Sequence, residues 1–174
     1  MNLDSFIRTI PDFPKKGILY RDITTLLKDP DAFRAAATAL VSQYRDLGIQ
    51  KVVGVESRGF LFGAVLAYEL GAGFVPIRKA GKLPAPVRRR EYALEYGSDT
   101  IEIHKDSISP GERVLMHDDL LATGGTAVAA LELLKELGPE IVGVSFLIEL
   151  TFLDGRKKLE GYDVHSILQY GAGE

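Results

Sequence analysis

The sequence predicts an α/β protein with a mostly parallel central sheet flanked by helices. Three observations lead there. Apolar segments of strand length, residues 51–55, 73–79, 113–117 and 141–150, alternate along the chain with segments of helical periodicity. These strand segments are apolar nearly throughout rather than on every second residue, as strands covered on both faces are. The length, 174 residues, suits one domain with a real core and is short for two.

Taken in order, the stretch IPDFPKKG (10–17) is rich in proline and glycine and reads as a loop, and ILYRDIT (18–24) as a short extended piece. Residues 29–48 predict a helix. Asp29 suits the N-cap and Pro30 the first turn, Phe33, Ala37, Leu40, Val41, Tyr44 and Leu47 recur at helical spacing, and Gly48 is a stop. KVVGV (51–55) is a buried strand, ESRGFLFG (56–63) a turn entering a helix that runs to about Leu70, and GFVPIRK (73–79) a second strand. IEIH (101–104) and RVLMH (113–117) are further strands. AVAALELLKEL (127–137) is a helix closed by Gly138, and IVGVSFLIEL (141–150) is a long apolar strand. Residues 80–100 fit neither template. They are rich in proline, glycine and cationic side chains, and loops of that length are usually functional, so a mobile lid is expected there.

Composition narrows the function. Hydrophobic residues make up 46% and charged residues 26%, with a formal net charge of −3, which points to neither a nucleic-acid groove nor an anionic membrane surface. Without cysteine there are no disulfides or thiolate metal sites. The three histidines, His104, His117 and His165, are too scattered for a histidine metal site, although carboxylates can still hold magnesium. The N-terminal residues lack the pattern of a signal peptide, and no apolar run reaches the roughly 18 residues that cross a bilayer. A cytoplasmic protein is the expectation.

The chemistry concentrates in MHDDLLATGGTA (116–127), which reads as strand, loop and helix start. Glycines let backbone amides approach an anion, and a helix N-terminus adds unpaired amides and partial positive charge. Ala122, Thr123, Gly124, Gly125 and Thr126 therefore form a phosphate cradle without a lysine, unlike the G-x-x-x-x-G-K-[ST] loop of ATPases. Asp118 and Asp119, at the strand end, suit the vicinal hydroxyls of a ribose and a ribose that turns cationic during reaction. In open sheets of this kind ligands bind at the C-terminal strand ends.

This stretch resembles the phosphoribosyl-diphosphate-binding motif of type I phosphoribosyltransferases. PDFPKKGILYRDIT, LLKDPDAFRAA, ESRGFLFG, PIRKAGKLP, YALEYG, DLLATGGTA and ILQY run in family order and narrow the resemblance to the adenine phosphoribosyltransferases. The resemblance implies the type I phosphoribosyltransferase fold over residues 1–174, with a lid at about 80–100. It implies transfer of phosphoribosyl from phosphoribosyl diphosphate (PRPP) to adenine, giving AMP and pyrophosphate in purine salvage, with Mg2+ held by the substrate diphosphate. It also implies a homodimer. By the same resemblance, residues 122–126 hold the 5′-phosphate, Asp118 and Asp119 face the ribose, and Arg58, Lys79 and Lys82 meet the diphosphate. Tyr20 stacks on adenine, backbone groups of Arg21 and Asp22 read its edge, Glu95 takes its N9 proton, and Tyr96 belongs to the lid.

The chain departs from the family pattern at His117, which is either a core histidine or a tuner of Asp118, and at Ala80, where a cation is common. Arg88, Arg89 and Arg90 are expected to be a solvated cationic run. Transferases acting on another base, and nucleic-acid-binding regulators of the same fold, are the competing readings. ESRGFLFG and LEYG weigh against the first, and the acidic net charge against the second.

Overall fold

A computed structural model of the chain describes residues 1–94 and 97–174. Contacts divide it into two units, Met1–Ala39 and Leu40–Glu174. In the first, a 3-10 turn at Leu3–Phe6 precedes an antiparallel hairpin of β1 (Arg8–Pro11) and β2 (Leu19–Asp22), then the short helix α1 (Thr24–Leu27). Asp22 ties the hairpin to that helix. Its carboxylate accepts from Arg8 Nε at 2.9 Å and from the Thr24 amide at 2.8 Å. Burial alone would raise the Asp22 pKa, but these bonds outweigh it and hold it at about 2.

The helix α2 (Pro30–Ser42) starts as its sequence requires. Asp29 Oδ1 accepts from the amides of Asp31 at 3.1 Å and Ala32 at 2.9 Å. The apolar periodicity runs on to Leu47, but the α-helix stops at Ser42. Beyond it the chain tightens into i→i−3 bonds, Tyr44 to Val41 and Leu47 to Tyr44, before Gly48 turns at φ +63°.

The second unit is built on β3 (Lys51–Val55), α3 (Gly59–Glu69), β4 (Gly73–Lys79), β5 (Val87–Ala93), β6 (Ser98–His104), β7 (Arg113–Leu121), α4 (Gly125–Leu137), β8 (Glu140–Leu150) and β9 (Val164–Tyr170). The sheet order is β5-β6-β4-β3-β7-β8-β9. The five strands from β4 to β9 pair in parallel, and β5 and β6 add an antiparallel edge. Helix α3 packs on β3, β4 and β7, and α4 on β5 and β6. Val53, Ile77, Met116, Leu134 and Phe146 lie in one buried core. No helix among the described residues is long and apolar enough to cross a membrane.

The segment at 80–100 is not an irregular loop. From residue 87 on it carries β5 and the start of β6, paired from Val87↔His104 to Ala93↔Ser98. Three consecutive arginines hide the strand from a hydrophobic pattern. They are not a purely solvated run either: Arg90 pairs with Glu136 at 2.7 Å and Glu132 at 3.4 Å, Arg88 with Glu136 at 3.8 Å, and Arg89 with Glu102 at 3.2 Å. The β3–β7 ladder ends at Gly54↔His117, whereas β7–β8 continues to Leu121↔Glu149. Residues 118–121 therefore overhang the neighbouring strand β3.

His117 is a core histidine. It is fully buried, its Nδ1 lies 3.1 Å from Ser145 Oγ, and its Nε2 has no hydrogen-bond partner. Burial lowers its pKa to about 3, so the folded protein keeps the ring neutral while the unfolded chain protonates near 6.5. Stability from this group is complete above pH 6.5 and declines as pH falls towards the folded value. His117→Asn, which preserves a polar atom near Nδ1, removes that dependence. Between pH 6.5 and 5 the parent should lose up to about 2 kcal/mol more than the variant, read from urea midpoints.

Candidate active site

The site begins where β7 passes its neighbour and runs into the loop before α4. Gly124 takes φ +81° and caps the helix without a side-chain bond. The amides of Gly125, Thr126 and Ala127, at the first turn, are those an α-helix cannot pair internally. The helix starts at Gly125, two residues ahead of the expected Ala127. Together with Glu56, Ser57, Arg58, Lys79, Tyr92, Asp118 and Asp119, residues 120–127 line a cavity of about 240 Å3.

Opposite the loop, the Glu56–Ser57 peptide is cis and the turn delivers Arg58 to the start of α3. Arg58 Nε lies 2.9 Å from Asp119 Oδ2. Gly59 allows α3 to approach this closely, since a Cβ there would stand 2.8 Å from Asp118 Oδ1 and 3.2 Å from the His117 carbonyl. Burial, and then the Asp119 charge, push the Asp118 carboxyl well above the usual range. Burial also raises Asp119, against the opposing pull of Arg58. A carboxylate pair so placed favours any positive charge that develops beside it.

The cations are held by carboxylates of the protein. Glu56 accepts from Lys82 Nζ, from the Lys79 amide at 2.8 Å and from Arg78 Nη2 at 3.4 Å. Burial would raise Glu56, but these donors win and hold it at about 2. Lys79 Nζ bonds Asp99 and stands 3.4 Å from Tyr92 Oη. Burial alone would lower the Lys79 pKa, and Asp99 reverses this, so the lysine stays charged.

The first-turn amides of a helix, an arginine and a lysine around a carboxylate pair describe a polyanion site. The sequence matches the model of the phosphoribosyl transferase domain over residues 22–168. The chain belongs to the phosphoribosyltransferase family. This phosphoribosyltransferase is 61% identical to an adenine phosphoribosyltransferase of Alkaliphilus metalliredigens, over 98% of this chain and 100% of the relative. Its fold matches the crystal structure of adenine phosphoribosyltransferase from Thermoanaerobacter pseudethanolicus with a TM-score of 0.93 and 53% identity, covering 97% and 98% of the two chains. The Saccharomyces cerevisiae adenine phosphoribosyltransferase, complexed with an imino-altritol bisphosphate and adenine, matches with a TM-score of 0.90 and 43% identity over 95% of this chain and 96% of that one.

In this phosphoribosyltransferase the structure brings together Arg58, Lys79, Asp118, Asp119 and residues 122–126. Lys82 is not on the cavity wall but shares Glu56 with its rim. Tyr20, Arg21 and Asp22 lie in the first unit on β2, with Tyr20 edge-on to Phe13 at 5.1 Å and Arg21 Nη1 bonded to Thr9 Oγ1 at 2.6 Å. Glu95 and Tyr96 lie outside the described residues. Glu56, Tyr92 and Asp99 escaped the sequence reading. Glu56 had a signal, an acid closing a buried strand two residues before Arg58. Tyr92 and Asp99 had none without the β5–β6 pairing.

Arg58→Met would strand the buried Asp119 beside Asp118. We expect unfolding free energy to fall by about 1–3 kcal/mol, measured in urea. Adding Asp119→Asn should recover part of that loss, because the uncompensated charge is then gone.

Proposed function

We infer that the protein joins adenine to phosphoribosyl diphosphate, releasing pyrophosphate and forming AMP, as an enzyme of purine salvage. The observation that carries this is the cavity itself. The loop before α4, Arg58, Lys79 and two aspartates line it together, in a chain similar along nearly its whole length to adenine phosphoribosyltransferases. In this reading residues 122–126 bind the 5′-phosphate through the first-turn amides of α4 and the Thr123 and Thr126 hydroxyls. Asp118 and Asp119 take the ribose hydroxyls. Arg58, Lys79 and Lys82 receive the diphosphate, which competes with Asp99 and Glu56 for the lysines.

The bond from the anomeric carbon to the diphosphate oxygen breaks first. Charge accumulates on the leaving group next to Arg58 and Lys79, and the ribose becomes oxocarbenium-like beside the carboxylate pair. Adenine N9 then bonds to the anomeric carbon, and Glu95 accepts the N9 proton. Tyr20 supplies a stacking face for the base, with backbone groups of Arg21 and Asp22 reading its edge, and Tyr96 belongs with Glu95 to the lid. Closure of a lid at about 80–100 over the donor would exclude water.

The donor atoms fit magnesium. Asp118 and Asp119 offer hard oxygens, and this ion is commonly held by one or two carboxylates with substrate phosphates. No group of three or more acidic or histidine side chains converges among the described residues, so the substrate diphosphate would carry most of the coordination. When bound, the ion neutralises charge on the diphosphate.

A homodimer in the cytoplasm completes the reading, without nucleic acid or membrane. Leu61 and Tyr68, exposed at 43% and 84%, share one face of α3 and support a subunit contact there. A stable monomer at micromolar concentration in sedimentation equilibrium would refute it. The family match at 22–168 runs through both units and supports one functional domain.

The deciding experiment incubates the protein with Mg2+, phosphoribosyl diphosphate and, separately, adenine, hypoxanthine, guanine, xanthine, uracil and orotate, following nucleotide by chromatography. AMP from adenine alone is expected; product from another base would overturn the acceptor. Glu95→Gln should lower turnover at least about 100-fold, within the usual worth of a general base, and leave donor affinity within threefold. Unchanged turnover would remove Glu95 from the mechanism.

A further inference from the structure

Behind the phosphate loop stands a 3-10 turn, Gly155–Leu159, that the donor chemistry does not call on. Two glycines meet there backbone to backbone. A Cβ on Gly155 would lie 2.2 Å from the Ala122 carbonyl oxygen and 3.0 Å from the Gly124 nitrogen. A Cβ on Gly124 would lie 2.8 Å from the Gly155 carbonyl oxygen. Unbonded heavy atoms sit comfortably at about 3.5–4.0 Å, so a single methyl at 155 requires a displacement of roughly 1 Å.

The turn is poorly placed to give way. Leu159 is buried in the main core. Arg156 donates through Nε to Glu149 Oε1 at 2.9 Å, through Nη1 to the Val164 carbonyl at 2.7 Å and through Nη2 to Ser166 Oγ at 3.2 Å. Ser166 Oγ in turn donates to Glu149 Oε2 at 2.6 Å. Glu149 is buried at the end of β8, and Ser166 and Val164 belong to β9, so the turn is fastened to two strands of the sheet. The other side of the loop lines the cavity.

We propose that Gly155 is a positioning residue for the phosphate loop, pressed against Ala122 and Gly124 by the Arg156–Glu149–Ser166 network. It touches no substrate. It sets where the loop amides stand, and this rests on reading residues 122–126 as the 5′-phosphate site. A displaced backbone amide cannot be restored by a rotamer change, and a 1 Å misplacement of a binding group can cost on the order of 100-fold in rate.

The test compares Gly155→Ala, Arg156→Met and Arg156→Lys with the parent, and uses Val144→Ala, a buried truncation elsewhere on β8, as a control for general loosening. Binding of phosphoribosyl diphosphate and of ribose 5-phosphate is measured by calorimetry, with KM for both substrates and the thermal midpoint. Gly155→Ala should weaken both phosphate ligands at least tenfold while the adenine KM stays within twofold. Arg156→Met should weaken them less, Arg156→Lys should restore part of the loss, and Val144→Ala should lower the midpoint without moving donor KM.

Parent-like donor affinity in Gly155→Ala overturns the proposal and leaves the functional reading intact. Equal losses for donor and adenine, or a donor loss in Val144→Ala as large as in the Arg156 variants, also overturn it. If Gly155→Ala does not fold, the Arg156 pair decides, because parent-like donor affinity in Arg156→Met rejects the brace. A parent that binds neither phosphate ligand overturns the reading of the loop and the brace together.

Discussion

In the proposed reading the phosphate site rests on main-chain amides, and these have no adjustable parts. A lysine can swing to meet an anion from several positions, whereas the amides of Gly125, Thr126 and Ala127 point where the chain puts them. The surrounding structure is organised around that constraint. Gly124 turns the chain into α4 at φ +81°. The buried face of α4 fixes the helix axis on the sheet, through Leu131, Leu134 and Leu137 in the main core. The overhanging end of β7 sets where the loop begins. The first and last are backbone devices, using glycine and strand register where another site would use a side chain.

Charge is handled in the complementary way, by side chains already paired. Arg58 with Asp119, Lys79 with Asp99, and Lys82 and Arg78 with Glu56 form a set of ion pairs around the cavity. Isolated cations in a half-buried cleft would repel one another and lower each other's pKa. Pairing holds them in place, and in the proposed reading an incoming polyanion exchanges partners rather than assembling charges from water. The carboxylate side is arranged in the opposite sense. Asp118 and Asp119 are both raised by burial, and Arg58 is the cation that pairs with them among the described residues, which leaves room for positive charge to be stabilised there.

Much of this was legible in the sequence where one local rule applied at a time. Asp29 and Pro30 announced the start of α2, the apolar runs at 51–55 and 73–79 coincide with β3 and β4, and MHDDLLATGGTA announced the loop. What escaped depended on partners distant in sequence. Strand β5 is masked by Arg88, Arg89 and Arg90, whose side chains pair with Glu102, Glu132 and Glu136. The place of Glu56 between Lys82 and Arg78 needs β3 and β4 to be neighbours. His117 looked out of pattern in an apolar strand until Ser145, opposite it on β8, supplied its partner.

The overhang of β7 beyond β3 has a wider meaning. The cleft exists because two adjacent strands have unequal reach, 54 facing 117 at the last rung on one side and 121 facing 149 on the other. Its location is written in the lengths of strands and not in the identity of the groups that line it. Side chains can therefore be exchanged around the rim, altering which acceptor is admitted, without dismantling the cleft or disturbing the core beneath it. An architecture of this type separates the address of a reaction from its vocabulary, and diversification can act on the second while the first is inherited unchanged.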